Sequence, residues 1–419
     1  MATAASATTA IMTLTTKPPT NLRFRSLAAT EELGRLFDFS VLALSDADQP
    51  IDANRLLGTS AAVSIALATG QERHFHGVVA RAGLESSSGK LIGWRLQLRP
   101  WLWLLTLRSD SRIFQGLTVE AILKEVFEHY PHDVEFKIEG EQTARPYCVQ
   151  YRETDFNFVS RLMEEEGWYY FHRHTKTQHT LVICNAMSKH EPFAGHAEIE
   201  YRESQDRMTR LRAITDWRHT YELMTDTVTL SDWNYLEPAM PLHANYKSPR
   251  TIGGNPKLGH YDYSAMLEDD ARGDNYAMLR QQEFDSRVLR ISGSTLSVGG
   301  LVVGCRFKLK AHPLPGENVE HLVIATRIDA AYTGYESGQG ETSFSCRFGA
   351  LRHAQTYRPL RVTPKPIIPG PQTAIVVGKR DDEITTDEYG RVKVQFHWDR
   401  LGIKNEKSSC WLRVSSGLA

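Results

Sequence analysis

Cysteine is scarce in this sequence and shows no pairing. The 419 residues include five cysteines, an odd number, and no two of them form a Cys-x-x-Cys pair. The five are widely spread along the chain. We therefore interpret the five as buried, reduced thiols of a protein that folds in the cytosol. They are Cys148, Cys184, Cys305, Cys346 and Cys410.

An excess of one charge sign is also missing. The chain has 49 basic and 50 acidic residues, so its formal net charge is −1. That balance gives no electrostatic reason to expect binding to nucleic acid or to an anionic membrane surface. No run approaches the ~18 apolar residues of a membrane helix. Lys17 is the first charged residue, so the N-terminus lacks the basic region of a signal peptide. We expect a cytoplasmic protein without stable membrane insertion.

Motifs that bind nucleotides or carry nucleophiles are absent from the sequence. It contains no Gly-x-Gly-x-x-Gly, no phosphate-binding loop, no Gly-x-Ser-x-Gly and no His-Glu-x-x-His. We predict no catalytic residue, no cofactor and no metal ion. The alternative is a zinc site, for which clustered histidines are the candidates. They are His74, His76, His172, His174 and His179.

Three adjacent glutamates, Glu164 to Glu166, are the other candidate for chemistry. Paired carboxylates carry out glycoside hydrolysis. Neighbouring residues on a helix, however, do not face each other. We therefore interpret this run as the solvated end of a helix.

The residues that are abundant favour packed sheets. Hydrophobic residues make up 41% of the chain, and there are sixteen tyrosines and eight tryptophans. A single core rarely grows beyond about 250–300 residues, so we expect two or three domains. Short alternating segments such as 37–44 predict strands. The fold class is therefore mainly β, with α+β insertions.

Two helices have clear boundaries in the sequence. Residues 118–130 carry one apolar stripe, and Thr118 is suited to cap the first turn. A second helix is predicted at about 154–166, with Thr154 as its N-cap and Gly167 as the residue after its end. A hairpin of 168–172 and 180–184 follows, and a helical patch is expected near 274–288.

Prolines mark one linker. Residues 359–371 contain five prolines and one glycine. Three strands follow the linker, at 374–377, 391–398 and 411–414. A barrel of the OB type needs about five strands, so this barrel is expected to be incomplete.

The segment from Asp387 to Arg400 combines a turn with a strand. Residues 387–390 supply the turn, in which Gly390 is free to adopt a positive φ. Beyond the turn, apolar and polar residues alternate with a period of two, which predicts a half-buried strand. The face predicted to be buried carries Val392, Val394, Phe396 and Trp398, and the other face carries Arg391, Lys393, Gln395 and His397.

This segment resembles the signature of the VgrG family, the spike proteins of bacterial type VI secretion. A second segment, 147–171, is similar to a characteristic part of the VgrG hub. We take the structural signature to comprise Asp387, Glu388, Tyr389, Gly390, Val392, Val394, Phe396, Trp398 and Gly167.

The resemblance implies two hub β-barrel-like domains and the start of an OB-type barrel. Family members usually continue well past 409–414, so we expect the rest of the barrel and the needle to be missing. The expected organisation is a flexible N-terminus at 1–20, a first hub β-barrel-like domain at 21–105, an α+β region at 106–195, a second hub β-barrel-like domain at 196–358, the linker at 359–371 and an incomplete OB-type barrel at 372–419.

The function that the resemblance implies is mechanical. Three chains are expected to form a homotrimer that caps the hexameric Hcp tube. A PAAR tip protein and effectors are expected to bind through the missing C-terminal part. The protein is expected to stay in the cytoplasm until the type VI machine exports it, and then to be secreted or delivered into a target cell.

Three alternatives stay open. A baseplate hub of a phage or phage-tail-like particle has the same architecture. A spike-borne cell-wall hydrolase belongs to another class of protein. The third alternative is a carbohydrate-binding module, since OB barrels bind sugars on a strand face that carries aromatic side chains. The polar face of the signature strand lacks them, because Phe396 and Trp398 fall on the opposite face.

Overall fold

The structure is a computed structural model. It describes residues 12–415 except 50, 68–69, 89, 131–132, 204–212, 234–238, 240, 251–257, 264–269, 297–299, 335–340 and 380–383. It consists mainly of β-strands with three α-helices in the described residues, which confirms the predicted fold class. None of these helices is both long enough and apolar enough to cross a membrane.

The chain folds into two units whose segments alternate along the sequence. Unit 1 takes its residues from 1–101, 133–139 and 166–360, and unit 2 takes its residues from 102–132, 140–165 and 361–419. The boundary between residues 360 and 361 lies at the start of the predicted proline-rich linker.

Most strands belong to unit 1. They are β1 Met12–Thr16, β2 Arg23–Glu32, β3 Asp38–Asp46, β4 Ser60–Ala66, β5 Glu72–Ser88, β6 Leu91–Arg99, β8 Val134–Lys137, β10 Tyr169–His174, β11 His179–Cys184, β12 Glu198–Glu200, β13 Asp216–Tyr221, β14 Thr227–Trp233, β15 Pro241–Lys247, β16 Gly259–Tyr263, β17 Leu289–Thr295, β18 Arg306–Lys310, β19 Glu320–Tyr332 and β20 Thr342–Arg352. Unit 2 contains β7 Ser109–Phe114, β9 Cys148–Thr154, β21 Ala374–Val377 and β22 Lys393–Phe396. The helices are α1 Val119–Phe127 and α2 Asp155–Glu165 in unit 2, and α3 Asp270–Asp285 in unit 1.

One large sheet dominates unit 1. Its strands follow the order β1-β4-β5-β6-β3-β2-β19-β20-β17-β13, and β18 joins β12 to β19. The antiparallel pairing of β2 with β19 aligns Ala29 with Ile328 and Leu27 with Ala330. Strands from the segments predicted as the first and second hub domains therefore share this sheet.

A continuous apolar core covers one face of the large sheet. In β3 the buried residues Phe39, Val41 and Ala43 alternate with partly exposed ones, as period-two patterning requires. Phe37 stacks on Phe39 with ring centroids 4.2 Å apart, and Phe75 meets Phe39 edge-on at 5.5 Å. Burial of such rings is the main source of stability for unit 1.

The N-terminal prediction is wrong in part. Residues 12–16 form β1, which pairs antiparallel with β4 and aligns Leu14 with Val63. The expected flexible segment 1–20 therefore contains an ordered edge strand, because Thr and Leu at alternating positions suit a pleated edge. Residues 1–11 lie outside the described part of the chain.

Both predicted N-caps are confirmed. The Thr118 hydroxyl accepts a hydrogen bond from the Ala121 backbone N–H at 3.2 Å, at the start of α1. The Thr154 hydroxyl accepts one from the Asn157 N–H at 3.1 Å, at the start of α2. Each cap satisfies a donor that the first helical turn leaves open.

A smaller sheet of unit 1 packs on α3. Its order is β15-β14-β16, and its buried residues Val228 and Leu230 form a core cluster with Ala277 of α3. The predicted helical patch near 274–288 corresponds to α3. Trp233, Tyr261 and Tyr263 are exposed.

The cysteine prediction holds for three residues of five. Cys148, Cys184 and Cys346 are buried free thiols, whereas Cys305 and Cys410 are partly exposed. Burial raises the pKa of Cys184 to about 12 and that of Cys346 to about 11. These two thiols are therefore protonated at neutral pH.

Candidate functional site: the two signature segments

The turn of the first signature segment forms as predicted. Asp387 Oδ1 accepts hydrogen bonds from the backbone N–H groups of Tyr389, at 3.0 Å, and Arg391, at 2.9 Å. Gly390 has a φ of +66°, the left-handed conformation that glycine adopts at little cost. Glu388 and Tyr389 are exposed at the tip of the turn.

The strand after this turn is shorter than predicted. Only 393–396 form β22, which pairs antiparallel with β21 and aligns Val394 with Val376. Val392 is half-buried and makes isolated bridges to Thr386 and Leu412. The third predicted strand, 411–414, is represented only by the bridge at Leu412.

The predicted pattern of two faces is wrong. Val394 is buried, but so is Gln395, whose side-chain amide donates to the Asp399 carbonyl at 2.6 Å. Phe396 and Trp398 are half-buried and stack with centroids 5.1 Å apart. The strand ends at Phe396, so the period of two no longer applies at Trp398.

Trp398 nevertheless makes specific contacts. Its ring meets Tyr151 of β9 edge-on at 5.3 Å. Its indole N–H donates to Gln372 Oε1 at 3.0 Å. Tyr151 belongs to the second signature segment, so the two segments touch within unit 2. Of the polar face, His397 is exposed and Lys393 is half-buried.

The second signature segment forms β9, α2 and the start of β10. Gly167 follows α2 with a φ of +67°, as predicted for the residue after a helix end. A side chain has no room at this position, because a Cβ atom would lie 2.8 Å from Leu279 Cδ2 and 3.2 Å from Arg358 Cδ. Gly167 is thus required both for its backbone conformation and for close packing in unit 1.

A buried ion pair joins two of the charged residues in 147–171. Arg161 contacts Glu153 at two points, with Nε 3.0 Å from Oε2 and Nη2 2.7 Å from Oε1. Arg161 Nη2 also donates to the Val149 carbonyl at 2.7 Å. Charges removed from water need such complete pairing to be tolerated. The arrangement fixes α2 against β9.

A second buried group lies beside the first. The carboxylate of Asp155 is fully buried, and it accepts hydrogen bonds from Gln150 Nε2 at 2.8 Å and from the Tyr130 hydroxyl at 3.2 Å. Gln150 in turn accepts one from Arg112 Nε at 3.2 Å. The Arg108 guanidinium is 3.4 Å from Asp155. These contacts join β7, β9 and α2.

The end of the first signature segment binds the same region. Arg400 donates through Nη2 to Asp110 Oδ2 at 2.8 Å and through Nε to Oδ1 at 3.3 Å. Burial opposes ionisation of Asp110. The hydrogen bonds from Arg400 and from the Ser111 N–H outweigh it and lower the pKa of Asp110. Arg400 and the nearby Arg112 therefore both favour the charged form of this carboxylate.

Glu164 corrects the interpretation of the glutamate run. Its side chain is buried, and its carboxylate accepts three hydrogen bonds from residues just after the unit boundary between 360 and 361. The donors are the N–H of Val362 at 3.1 Å, the N–H of Thr363 at 3.0 Å and the Thr363 hydroxyl at 2.9 Å. Glu165 pairs with Arg145 at 2.6 Å. Glu164 therefore holds the start of the linker, and the run is not simply a solvated helix end.

Four of the five candidate histidines do come together. His76 and His179 share a hydrogen bond between their Nδ1 atoms at 2.8 Å, and the Trp101 N–H donates to His179 Nε2 at 2.9 Å. His174 Nε2 is 3.0 Å from Glu31 Oε1. The ring of His172 lies 5.8 Å from that of His179. His74 lies apart, bonded to Ser64.

His76, His174 and His179 use ring nitrogens for hydrogen bonds within the protein. In the described part of the chain, no group of three or more His, Cys, Asp or Glu residues could hold a metal ion. Burial, followed by the proximity of His174, lowers the pKa of His172 well below its usual value. His172 is therefore a neutral side chain packed against Phe37 and Tyr170.

Sequence patterns gave no sign of a further cluster around Glu317. This buried carboxylate accepts hydrogen bonds from Trp217 Nε1 at 3.1 Å and His219 Nε2 at 2.9 Å, and it pairs with Arg352. His321 is fully buried beside it, with Nε2 3.9 Å away. Burial lowers the pKa of His321 to about 4.

The chain matches a known protein family over most of its length. The family model for the phage tail baseplate hub matches residues 30–333. The chain belongs to the phage tail baseplate hub family. The match covers every strand of the large sheet except β1, β20 and most of β2, and it also covers β7, α1, β9 and α2 of unit 2.

Curated relatives confirm the resemblance to VgrG. The spike protein VgrG1b of the Pseudomonas aeruginosa type VI secretion system is 38% identical over 404 residues, which is 95% of this chain and 54% of the relative. VgrG1a of the same organism is 36% identical over 406 residues, or 96% of this chain and 62% of the relative. This chain thus spans roughly half to three-fifths of the length of these curated relatives.

A solved structure supports the hub fold. The Escherichia coli c3393 protein, described as a type VI secretion component similar to the T4 tail proteins gp27 and gp5, matches with a TM-score of 0.68. The match covers 96% of this chain and 94% of that chain at 18% identity. The fold is therefore shared even where the sequences have diverged.

Proposed function

We propose that this chain is the structural hub of a type VI secretion spike. The observation that carries the proposal is similarity to VgrG spike proteins along nearly the whole chain. Both signature segments form contacts that suit a protein which has to resist mechanical force. Arg400 pairs with Asp110 at two points, and Glu164 accepts three hydrogen bonds from residues 362 and 363. These contacts hold the C-terminal segment of unit 2 to its two earlier segments.

The hub is proposed to act as a homotrimer that caps the Hcp tube. Each subunit exposes large aromatic side chains, and a soluble monomer rarely exposes many of them together. Tyr261 and Tyr263 occupy alternate positions of β16 and are 63% and 61% exposed. Their parallel partners on β14 are Thr229 and Ser231. We select this face as the candidate subunit contact.

The longer protein is proposed to carry the tip and the effectors. A PAAR protein and effectors bind its C-terminal part, and export through the type VI machine follows folding in the cytoplasm. The mechanism is mechanical, so no residue of this chain has to activate a nucleophile. The hub transmits the force of contraction to the target envelope.

Analytical ultracentrifugation tests the trimer. We expect a sedimentation coefficient that corresponds to three chains, and a shift toward the monomer in the variant Tyr261→Ser/Tyr263→Ser. The matched control is Tyr389→Ser, an exposed tyrosine of the signature turn. Addition of purified Hcp rings is expected to give a stable complex. A chain that stays monomeric and leaves Hcp rings unbound contradicts the proposal.

A phage-type baseplate hub is the second candidate, and the name of the matching family model favours it. Genome context separates the two, because sheath and Hcp genes of a secretion locus differ from phage structural genes. Incubation with peptidoglycan and with oligosaccharides tests the hydrolase and carbohydrate-binding alternatives. Release of soluble fragments, or retention of the chain on the polymer, supports one of those alternatives.

A further inference from the structure

A groove with unpaired arginines lies on the large sheet of unit 1. It has a volume of about 340 Å³ and follows β2, β19 and β20 where they run side by side. Its middle row aligns Glu32, Ala325 and Gly349. Because alanine and glycine carry little or no side chain, the backbone of the sheet is accessible between longer side chains.

The next row of the groove has two arginines in direct opposition. Arg327 of β19 is aligned with Arg347 of β20 on one side and with Thr30 of β2 on the other. Both arginines are exposed, and Arg35 from the turn after β2 lines the same groove. Like charges directly opposite each other on adjacent strands destabilise a sheet.

Within the described part of the chain, none of these three guanidinium groups forms an ion pair or a side-chain hydrogen bond. The nearby carboxylate of Glu31 is buried and engaged by His174 at 3.0 Å and by Arg73 at 3.8 Å. Glu32 alone adds an exposed negative charge to the lining. The groove therefore has an excess of positive charge.

We propose that this groove binds an acidic segment of a partner polypeptide through its side-chain carboxylates. The planar guanidinium fork matches a carboxylate at two points, and each added anion relieves the repulsion between Arg327 and Arg347. The groove is shallow and open, and its floor of Ala325 and Gly349 leaves room for an extended chain. Arginine is also enriched at protein interfaces. This site is additional to the proposed spike function and does not depend on it.

Fluorescence anisotropy with labelled hexaglutamate tests the site, and labelled hexaglutamine is the neutral probe. We expect the intact chain to bind hexaglutamate and not hexaglutamine. In Arg327→Ala/Arg347→Ala the dissociation constant is expected to rise about tenfold, since two charge-assisted contacts are lost. Arg81→Ala removes an exposed arginine of β5 outside the groove, and we expect no change in affinity.

A lysine variant separates charge from geometry. Arg327→Lys/Arg347→Lys keeps both charges and loses the forks, so its affinity is expected to fall between the intact chain and the alanine variant. Circular dichroism detects whether the double variant folds poorly. In that case Arg35→Ala, which lies outside the strands, is an independent variant whose affinity for hexaglutamate is expected to fall.

Three outcomes overturn the proposal. The first is equal binding of hexaglutamate to the intact chain and to both the Arg327/Arg347 and the Arg35 variants. The second is tight binding of inorganic phosphate that displaces the peptide completely, because the groove is then a small-anion site. The third is loss of self-association in the alanine variant without loss of peptide binding, because the groove is then a contact between copies of the chain.

Discussion

Arg161 and Glu153 form a two-point ion pair that is almost completely removed from solvent, with both side chains no more than 7% exposed. The pair connects the middle of α2 to the end of β9. It lies within the second signature segment, 147–171. The pairing gives a physical reason for a charged pair at these positions, because either residue alone leaves a buried charge without a partner.

Arg161→Ala is expected to destabilise unit 2 by about 3–5 kcal/mol, since the Glu153 carboxylate then stays buried and unpaired. Urea unfolding followed by tryptophan fluorescence measures the loss. The matched control is Lys124→Ala, which breaks the exposed pair with Glu120 and is expected to cost less than about 1 kcal/mol. Equal losses in the two variants contradict the buried-pair interpretation.

Gly167→Ala and Gly390→Ala separate conformation from packing. The φ angle is +67° at Gly167 and +66° at Gly390. A Cβ at Gly390 has no neighbour within 4 Å, whereas at Gly167 it meets Leu279 at 2.8 Å. We expect about 1–2 kcal/mol for Gly390→Ala and roughly 1–3 kcal/mol more for Gly167→Ala. Thermal unfolding provides the comparison, and a smaller effect at Gly167 is inconsistent with the packing described.

Glu164→Ala is expected to expose the Arg361–Val362 bond to trypsin. Three hydrogen bonds to one carboxylate hold residues 362 and 363, and their loss favours local opening. We expect the cleavage rate at this bond to rise about tenfold, which corresponds to about 1.4 kcal/mol of local stability. Mass spectrometry of the fragments identifies the bond.

Glu164→Gln keeps one of the two acceptor oxygens and serves as the conservative variant, with a smaller expected increase in cleavage. Glu388→Ala removes an exposed glutamate of the signature turn and is expected to leave the rate unchanged. If all three variants are cut like the intact chain, Glu164 does not hold the linker.

Acidification is expected to destabilise unit 1 through its buried histidines. Burial lowers the pKa of His321 to about 4 in the folded chain, whereas an unfolded histidine titrates at about 6.5. The unfolded chain therefore binds a proton that the folded chain does not, and stability falls as the pH drops from about 6.5 toward 4. At pH 5 this histidine accounts for roughly 2 kcal/mol.

Urea unfolding at pH 7 and pH 5 measures the effect. His321→Leu is expected to flatten the decrease, because the titrating group is gone. His397→Leu removes an exposed histidine and is expected to retain the full decrease. An unchanged pH dependence in His321→Leu would falsify the assignment.

Local features of this chain were predictable from sequence. Thr118 and Thr154 cap their helices because the relevant donor lies three residues away. Gly167 was predicted just after α2 because the chain often leaves a helix through a residue with a positive φ, which glycine adopts at little cost. Strand β21 was predicted with its observed bounds, since a run of four apolar residues follows the proline-rich linker after Gln372 and Thr373.

Non-local contacts were not predictable from sequence alone. Glu164 binds residues that are 198 and 199 positions away, and the pair His76–His179 spans 103 positions. Periodicity describes one element at a time and carries no information about such partners. The error at Phe396 and Trp398 has a local cause, because β22 ends at Phe396 and the period of two does not continue beyond it.

The separation of Arg400 from Asp110 by 290 positions has a consequence for synthesis. A ribosome releases the segments of unit 1 by residue 360, whereas unit 2 needs residues 361–419 as well as 102–132 and 140–165. Until Arg400 emerges, the carboxylate of Asp110 lacks its two-point partner in the nascent chain. Unit 2 is therefore expected to complete its folding after unit 1, and its early segments are the natural substrate for a chaperone during translation.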